Sequence, residues 1–566
     1  MDIRRIILAV VLMAAVLVVT PMLFPTATPT TDVAGADSTR ALTDSTFTSD
    51  RTSTPVPAPR DSQIAPPVGS MGAVATASVD SATMPIDTSV VETERAVFRT
   101  TNQGAALIGA EMKQYSTLSD GGRTRGGPVE LAQSGDRLIA WRLVVPGDTV
   151  RFDRVAFAKT QSVENGRTTL RYDANIANRA VTITYSFLPD SYRVNIAAQV
   201  AGQTENAYLL VDMPPGFRSS EADSSEDRTH LSYAFKREND NADGIGFGSL
   251  DPGERRIEPG PINWVVAKNK YFLVGLLTPP GVPGFAELNV VGGVRAAKEA
   301  TRAQATVVVP VRTGGAVFEL YAGPQEFKRL VAMGREFETA NPYGGWLQGM
   351  VQPFATMVIR LLLWMKATLG VSYGWILVIF GIAVRIVLWP LNQRAMRTSM
   401  QMQRIQPELQ AIQTKYKGEP QKLQAEMMRV YKEHNMSPFS SLSGCLPMLI
   451  PLPVFFALFF VFQNTIEFRG VSFLWFPDIS LKDPYYIVPI LVAITAMLLS
   501  WIGMRGIKAG EQQKIMMYMM PIVMLIVFLN MAAGLNLYYL VQNLASLPQQ
   551  WLISQERSRN APVVKG

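Results

Sequence analysis

Hydrophobic and polar residues follow three different patterns along the chain. Residues 6–24 are almost uniformly apolar and follow Arg4 and Arg5. The small-residue triplet Ala34-Gly35-Ala36 stands far beyond this run, and no cysteine follows it. We therefore read residues 1–24 as an uncleaved transmembrane anchor in preference to a cleaved signal peptide. Residues 25–88 consist mainly of Thr, Ser, Pro, Ala and Asp. Such a segment buries too little apolar surface to offset its ordering entropy, which predicts a disordered tether.

From Val90 to Pro324 the period is two. Val181, Ile183, Tyr185 and Phe187 alternate with polar or small neighbours. After Pro189-Asp190-Ser191 the alternation resumes at Tyr192, Val194 and Ile196, which predicts a hairpin with one buried face. Further strands are expected at Leu138–Val145, Val150–Phe157, Ile262–Leu277, Ala305–Val311 and Val317–Tyr321, with turns at Asn165-Gly166 and Gly314-Gly315. Many strands without intervening helical pattern argue for an all-β sandwich over residues 89–340. His230 falls in a polar stretch with no Ser or Cys motif and is expected to be solvated.

Beyond Asn341-Pro342 the period becomes helical. Leu347, Met350, Val351, Phe354, Met357, Val358, Leu361 and Met365 recur at three- and four-residue spacing, opposite Gln348, Gln352, Thr356 and Arg360. Residues 343–368 are thus expected to form an amphipathic helix in the membrane interface, with Trp346 and Trp364 at that depth; packing on the sandwich is the alternative. Apolar segments follow at 372–391, 446–463 and 484–502. The uncharged tract from Ile515 to Gln555 would be about 60 Å long as one helix. It must fold back at Asn530–Gly534, giving spans at 513–531 and 535–554. Between the second and third spans, residues 392–437 predict a cytoplasmic helical hairpin with a turn at Gly418-Glu419-Pro420 and a kink at Pro407. The fold class is thus a polytopic α-helical membrane protein of six transmembrane helices, five in a cluster, with a large periplasmic β-sandwich domain and a cytoplasmic hairpin.

Charge supports this orientation. The net charge is +7, and the excess gathers at Arg4 and Arg5, in 392–437, at Arg505, Lys508 and Lys514, and in the tail 555–566. With six spans all four regions are cytoplasmic, as are both termini, and residues 25–371 are periplasmic. The single cysteine, Cys445, and two histidines, His230 and His434, rule out an internal disulfide and argue against a zinc site. No phosphate-binding loop motif occurs, so no nucleotide cofactor is expected. No catalytic constellation is expected either, and the chain is not read as an enzyme.

The candidate chemistry centres on Arg385, inside Tyr373–Leu391. An arginine at mid-membrane costs about 2.5–3.5 kcal/mol on insertion scales. No acid lies within the apolar segments to pair with it. We favour a water-filled, inward-open groove over snorkelling to the inner surface. Met516, Met517, Met519, Met520 and Met524 crowd one span and suit an adaptable apolar surface or ordinary lipid-facing packing. Pro447, Pro451 and Pro453 interrupt the third span.

Several stretches resemble the YidC family of membrane protein insertases in its form from bacteria with two membranes. They are V-R-I-V-L-W-P-L around Arg385, Q-P-E-L-Q at Gln406–Gln410, S-G-C-L-P at Ser443–Pro447, D-P-Y-Y at Asp483–Tyr486, Q-Q-K-I-M at Gln512–Met516 and G-L-N-L-Y-Y at Gly534–Tyr539. V-E-T-E at Val91–Glu94 and L-Y-A-G-P at Leu320–Pro324 resemble the edges of the family's β domain. The resemblance implies an insertase that places new membrane proteins in the inner membrane, alone or with the Sec translocon and its accessory subunits. It implies that Arg385 is the groove arginine and that Phe455, Val492, Val527 and Tyr539 contact the substrate. Gly381 stands where relatives often carry a threonine. A ribosome or targeting factor at the hairpin and tail, and the lipid bilayer, complete the expected partners. A secondary transporter or a periplasmic-sensing receptor are the rival classes; the five-span cluster shows no internal repeat of the kind a transporter predicts.

Overall fold

A computed structural model gives the fold. It describes residues 84–202, 207–296, 299–300, 302–312, 314–341, 348–416, 419–434, 452–505 and 511–559. The expected anchor, almost all of the tether, the S-G-C-L-P motif with Cys445, the start of the third span and the last tail residues lie outside them. So do Trp346 and Leu347.

The β region forms two large antiparallel sheets, one of four strands between Thr88 and Glu130 and one of 14 strands. The predicted hairpin is present as Arg179–Phe187 and Arg193–Val200, with Val194 opposite Phe187. Asn165 and Gly166 both take positive φ, the geometry of a two-residue hairpin turn, between Ala158–Glu164 and Arg167–Ile176. A polar knot ties the core together. Trp141 Nε1 donates to Tyr185 Oη at 2.8 Å, and Tyr185 Oη donates to the Ala105 carbonyl at 2.7 Å.

Two strand expectations need correction. Ile262–Leu277 is not one strand but the inner part of a hairpin, Arg255–Lys268 paired with Phe272–Leu277. Both arms are buried on both faces near the turn, so no alternation marks where one stops. Val150–Phe157 is a short strand, Asp148–Arg151, followed by a 3-10 turn, Phe152–Arg154, with Phe152 and Phe157 buried on either side. His230 is also not simply solvated. It closes the short helix α1 (Ser224–Thr229), half-buried, with Nδ1 2.9 Å from the Glu226 carbonyl, and burial pushes its pKa down to about 4.

A second short helix, α2 (Phe327–Ala332), leads to α3 (Gln348–Leu369). The expected apolar stripe divides in two. Val351, Ala355, Val358, Ile359, Leu362, Leu363 and Met365 are buried, while Phe354, Met357, Leu361 and Trp364 are exposed. The helix therefore has two apolar faces. One joins the cluster with Ala457, Leu458, Val461 and Phe462 of the later helix Leu452–Asn464, and the other is left free.

Next comes α4, Tyr373–Lys415, an unbroken helix of 43 residues that passes through Pro390 and Pro407. The helix does not end at the expected Leu391, and it continues past Pro407, where a kink was expected. The helix α5 (Pro420–Glu433) packs on its far end through Ile405, Leu409, Val430 and Tyr431. Among the described residues the remaining α-helices are α6 (Leu452–Asn464), α7 (Ile487–Met504), α8 (Glu511–Phe528) and α9 (Ala533–Arg559). Tyr373–Arg394 within α4, and α7, are long and apolar enough to cross a bilayer; Val454–Asn464 and Tyr518–Phe528 are shorter apolar stretches. The fold-back predicted at Asn530–Gly534 falls at 529–532. Asn536, fully buried, secures it by donating to the Phe528 carbonyl at 3.0 Å.

Candidate functional site

The arginine-bearing helix packs against α9, and the contact is polar. Tyr538, Gln542 and Gln549 recur at intervals of four and seven on one face of α9. Gln542 Nε2 donates to the Gly381 carbonyl at 2.9 Å and approaches Tyr538 Oη at 3.1 Å. Arg385 Nη2 donates to Gln549 Oε1 at 2.6 Å, and Gln549 Nε2 donates to the Trp389 carbonyl at 3.2 Å. Arg385 is half-buried, and its Nε is shut off from solvent without a partner. On a neighbouring face Asn543 Nδ2 reaches Thr495 Oγ1 at 3.0 Å and the Val492 carbonyl at 3.2 Å on α7.

Gly381 is explained by this packing. A Cβ there would sit 3.0 Å from Val541 Cγ1, and the glycine is buried. The backbone carbonyl, accepting from Gln542, supplies the polar group at this level of the helix.

Phe455, Phe528 and Tyr539 meet beyond Tyr538. The Phe455 and Tyr539 ring centroids lie 5.2 Å apart, and those of Phe528 and Tyr539 lie 4.8 Å apart. Tyr538 connects this aromatic cluster to Phe380 on α4, at 5.8 Å. Val527 is half-buried beside Phe528. Val492 is different: it is 1% exposed and packed inside the helix cluster. Thus Arg385 and Gly381 share one polar seam, Phe455 and Tyr539 share one aromatic cluster, and Val492 opens onto neither. Of the methionines, Met519 is exposed and Met524 packs on the cluster.

The sequence reading missed Gln542, Asn543 and Gln549. The tract Ile515–Gln555 carries no charge, and these three side chains are neutral. The available signal was the repeated amide side chains in an otherwise apolar helix.

The α6–α7 loop joins the helices to the β region. Arg469 Nε lies 2.9 Å from both carboxylate oxygens of Glu221, and Nη2 donates to the Ser116 and Ser220 carbonyls at 2.9 and 3.1 Å. Its guanidinium also lies over Phe272, 5.7 Å from the ring centroid. Beside it, Glu467 Oε1 accepts from the Phe327 backbone N–H at 3.0 Å, while Oε2 is enclosed and unpartnered. Burial pushes this carboxyl up to about 7. The same loop caps α9, with the Ala533 and Gly534 N–H groups donating to the Leu481 and Ile479 carbonyls at 2.7 and 2.9 Å. Among the described residues no group of three His, Cys, Asp or Glu side chains is placed to hold a metal.

Two family models match the chain: the YidC periplasmic domain over residues 88–357 and the 60Kd inner membrane protein family over residues 364–560. The membrane protein insertase YidC of Chlorobium phaeovibrioides is 34% identical over 410 residues, covering 68% of this chain and 68% of the relative. That of Pelodictyon phaeoclathratiforme is 30% identical over 505 residues, covering 82% and 83%. A crystal structure of an active YidC insertase with its first transmembrane domain resolved is 19% identical, covers 83% of this chain and 95% of its own, and gives a TM-score of 0.34. By the two family matches and the extent of the shared sequence, this chain belongs to the YidC family of membrane protein insertases, with a periplasmic β domain preceding its inner-membrane helices.

Proposed function

We propose that this insertase lowers the barrier to moving a polar flank across the bilayer by offering it the Arg385 seam. One observation carries the reading: Arg385 is held by a neutral glutamine, so its charge is oriented but not cancelled. A substrate span gains free energy on entering lipid, a few tenths of a kcal/mol per Leu or Phe on insertion scales. The opposing cost lies in the flank. An acidic flank meeting Arg385 is transiently neutralised, which shortens its unsolvated path. Phe455, Val527 and Tyr539 then offer apolar and aromatic contact to the arriving span. No bond is made or broken, and no nucleotide is needed.

In the full reading the chain crosses the membrane six times, with both termini and the α4–α5 extension cytoplasmic. The basic residues of 392–437, of 505–514 and of the tail support this orientation. The α4–α5 extension and tail receive a ribosome or targeting factor, and the membrane helices work alone or beside the Sec translocon. Domain limits follow the composition shifts at residues 24, 88 and 340. The deciding experiment is site-specific crosslinking from Phe455, Val527 and Tyr539 to a stalled nascent membrane protein. Adducts from all three positions are expected; their absence with the substrate bound would remove the apolar path. Val492 is expected to crosslink only after α7 and α9 separate.

A further inference from the structure

We infer that Gln549 is the positioning residue of Arg385 and that its neutrality sets the preference of the seam for acidic flanks. This rests on the reading of Arg385 as a contact for substrate flanks. The geometry comes from α4 and α9 alone. Gln549 is 1% exposed, so its amide is fixed by the protein and not by solvent. It faces a guanidinium donor at 2.6 Å and the Trp389 carbonyl at 3.2 Å. Only one amide orientation satisfies both partners. Reversed, its NH2 would meet N–H donors and its oxygen would meet a carbonyl.

Arg385 and Trp389 lie one helical turn apart, so Gln549 bridges successive turns of α4. It takes one donor of the guanidinium and leaves the enclosed Nε without an acceptor. A half-buried planar cation anchored at one nitrogen by a neutral partner keeps its charge for an incoming carboxylate. The incoming flank supplies that carboxylate. A glutamate at 549 would have the same reach but would cancel the cation and set its second oxygen against the Trp389 carbonyl. A methionine would keep the volume, leave the charge, and release the orientation.

The test uses the full-length protein reconstituted in liposomes and a single-span substrate in two forms, with aspartates or asparagines in the translocated tail. The readout is the ratio of acid-tail to neutral-tail insertion. Gln549→Glu is expected to lower that ratio by at least about fivefold, the scale of a typical coupling between sites. Gln549→Met is expected to lower it by a smaller factor, and Arg385→Ala to lower it as Gln549→Glu does. If Arg385→Ala lowers the ratio and Gln549→Glu does not, the role of Gln549 is overturned while the groove reading survives. If Arg385→Ala leaves the ratio unchanged, the groove reading itself fails. Should Gln549→Glu not accumulate in membranes, Gln549→Met decides alone. A selective loss of the acid tail supports the inference, and equal loss of both tails overturns it, because lost packing does not distinguish tail charge.

Discussion

Arg469 and Glu221 are 248 residues apart in sequence and meet at 2.9 Å, with side chains only 4% and 6% exposed. One belongs to the α6–α7 loop and the other to the β domain. The pair is surrounded by backbone acceptors and aromatic rings, so each charge is satisfied only in this arrangement. Removing one partner strands the other, at a cost of about 3–5 kcal/mol. Arg469→Met should therefore lower the thermal midpoint of the detergent-solubilised protein and speed proteolysis at the loop. Arg469→Met combined with Glu221→Leu should recover most of the loss. A double variant as unstable as the single one would show that the pair is not the coupling.

Glu467 should make the same junction sensitive to pH. In the closed junction its carboxyl holds a proton up to about pH 7, against a reference of 4.5. The closed form thus binds more protons than the open one, and its advantage, full below about 4.5, declines as pH rises through 7. Hydrogen exchange at the Phe327 amide, corrected for intrinsic rates, should be faster at about pH 8 than at about pH 5.5. Glu467→Gln should flatten that difference, and an unchanged slope would assign the effect elsewhere.

Gly381→Thr tests the packing of α4 on α9. The new Cβ meets Val541 Cγ1 at 3.0 Å, and the hydroxyl turns back toward a carbonyl three or four residues earlier in α4. Overpacking of this kind costs about 1–3 kcal/mol. We expect a lower thermal midpoint and a weaker contact between α4 and α9, read by disulfide trapping across the seam. A variant of unchanged stability would mean that Val541 moves aside freely.

Arg385→Ala should impair insertion most for substrates with acidic translocated tails. A parallel series with one, two and three acidic residues should show the defect growing with their number. A defect independent of tail charge would replace electrostatic attraction with lost packing.

Much of this molecule can be read from residue order, for identifiable reasons. The hairpin around Pro189 has one buried and one open face, so alternation places it. Ile262–Leu277 is buried on both faces, and alternation vanishes where it was needed to separate two strands. On α3 the apolar spacing is plain, but it does not separate the face that packs on the protein from the one left uncovered. Arg385 announced itself by its cost. Its partner did not, because Gln549 lies 164 residues away and the repeated amides of α9 do not tell which of them faces Arg385. The family resemblance puts Val492 on the substrate path, but it is buried, with Asn543 of α9 bonded to its carbonyl.

The unbroken α4 has a mechanical meaning. Arg385 and Lys415 belong to one continuous helix. The distance along the axis is about 45 Å, so a tilt of about 10° at the arginine swings the far end by about 8 Å. The relation also works in reverse: a body that seizes the tip holds a long lever arm on the guanidinium. Any partner bound at the far end would then change the angle at which the guanidinium sits.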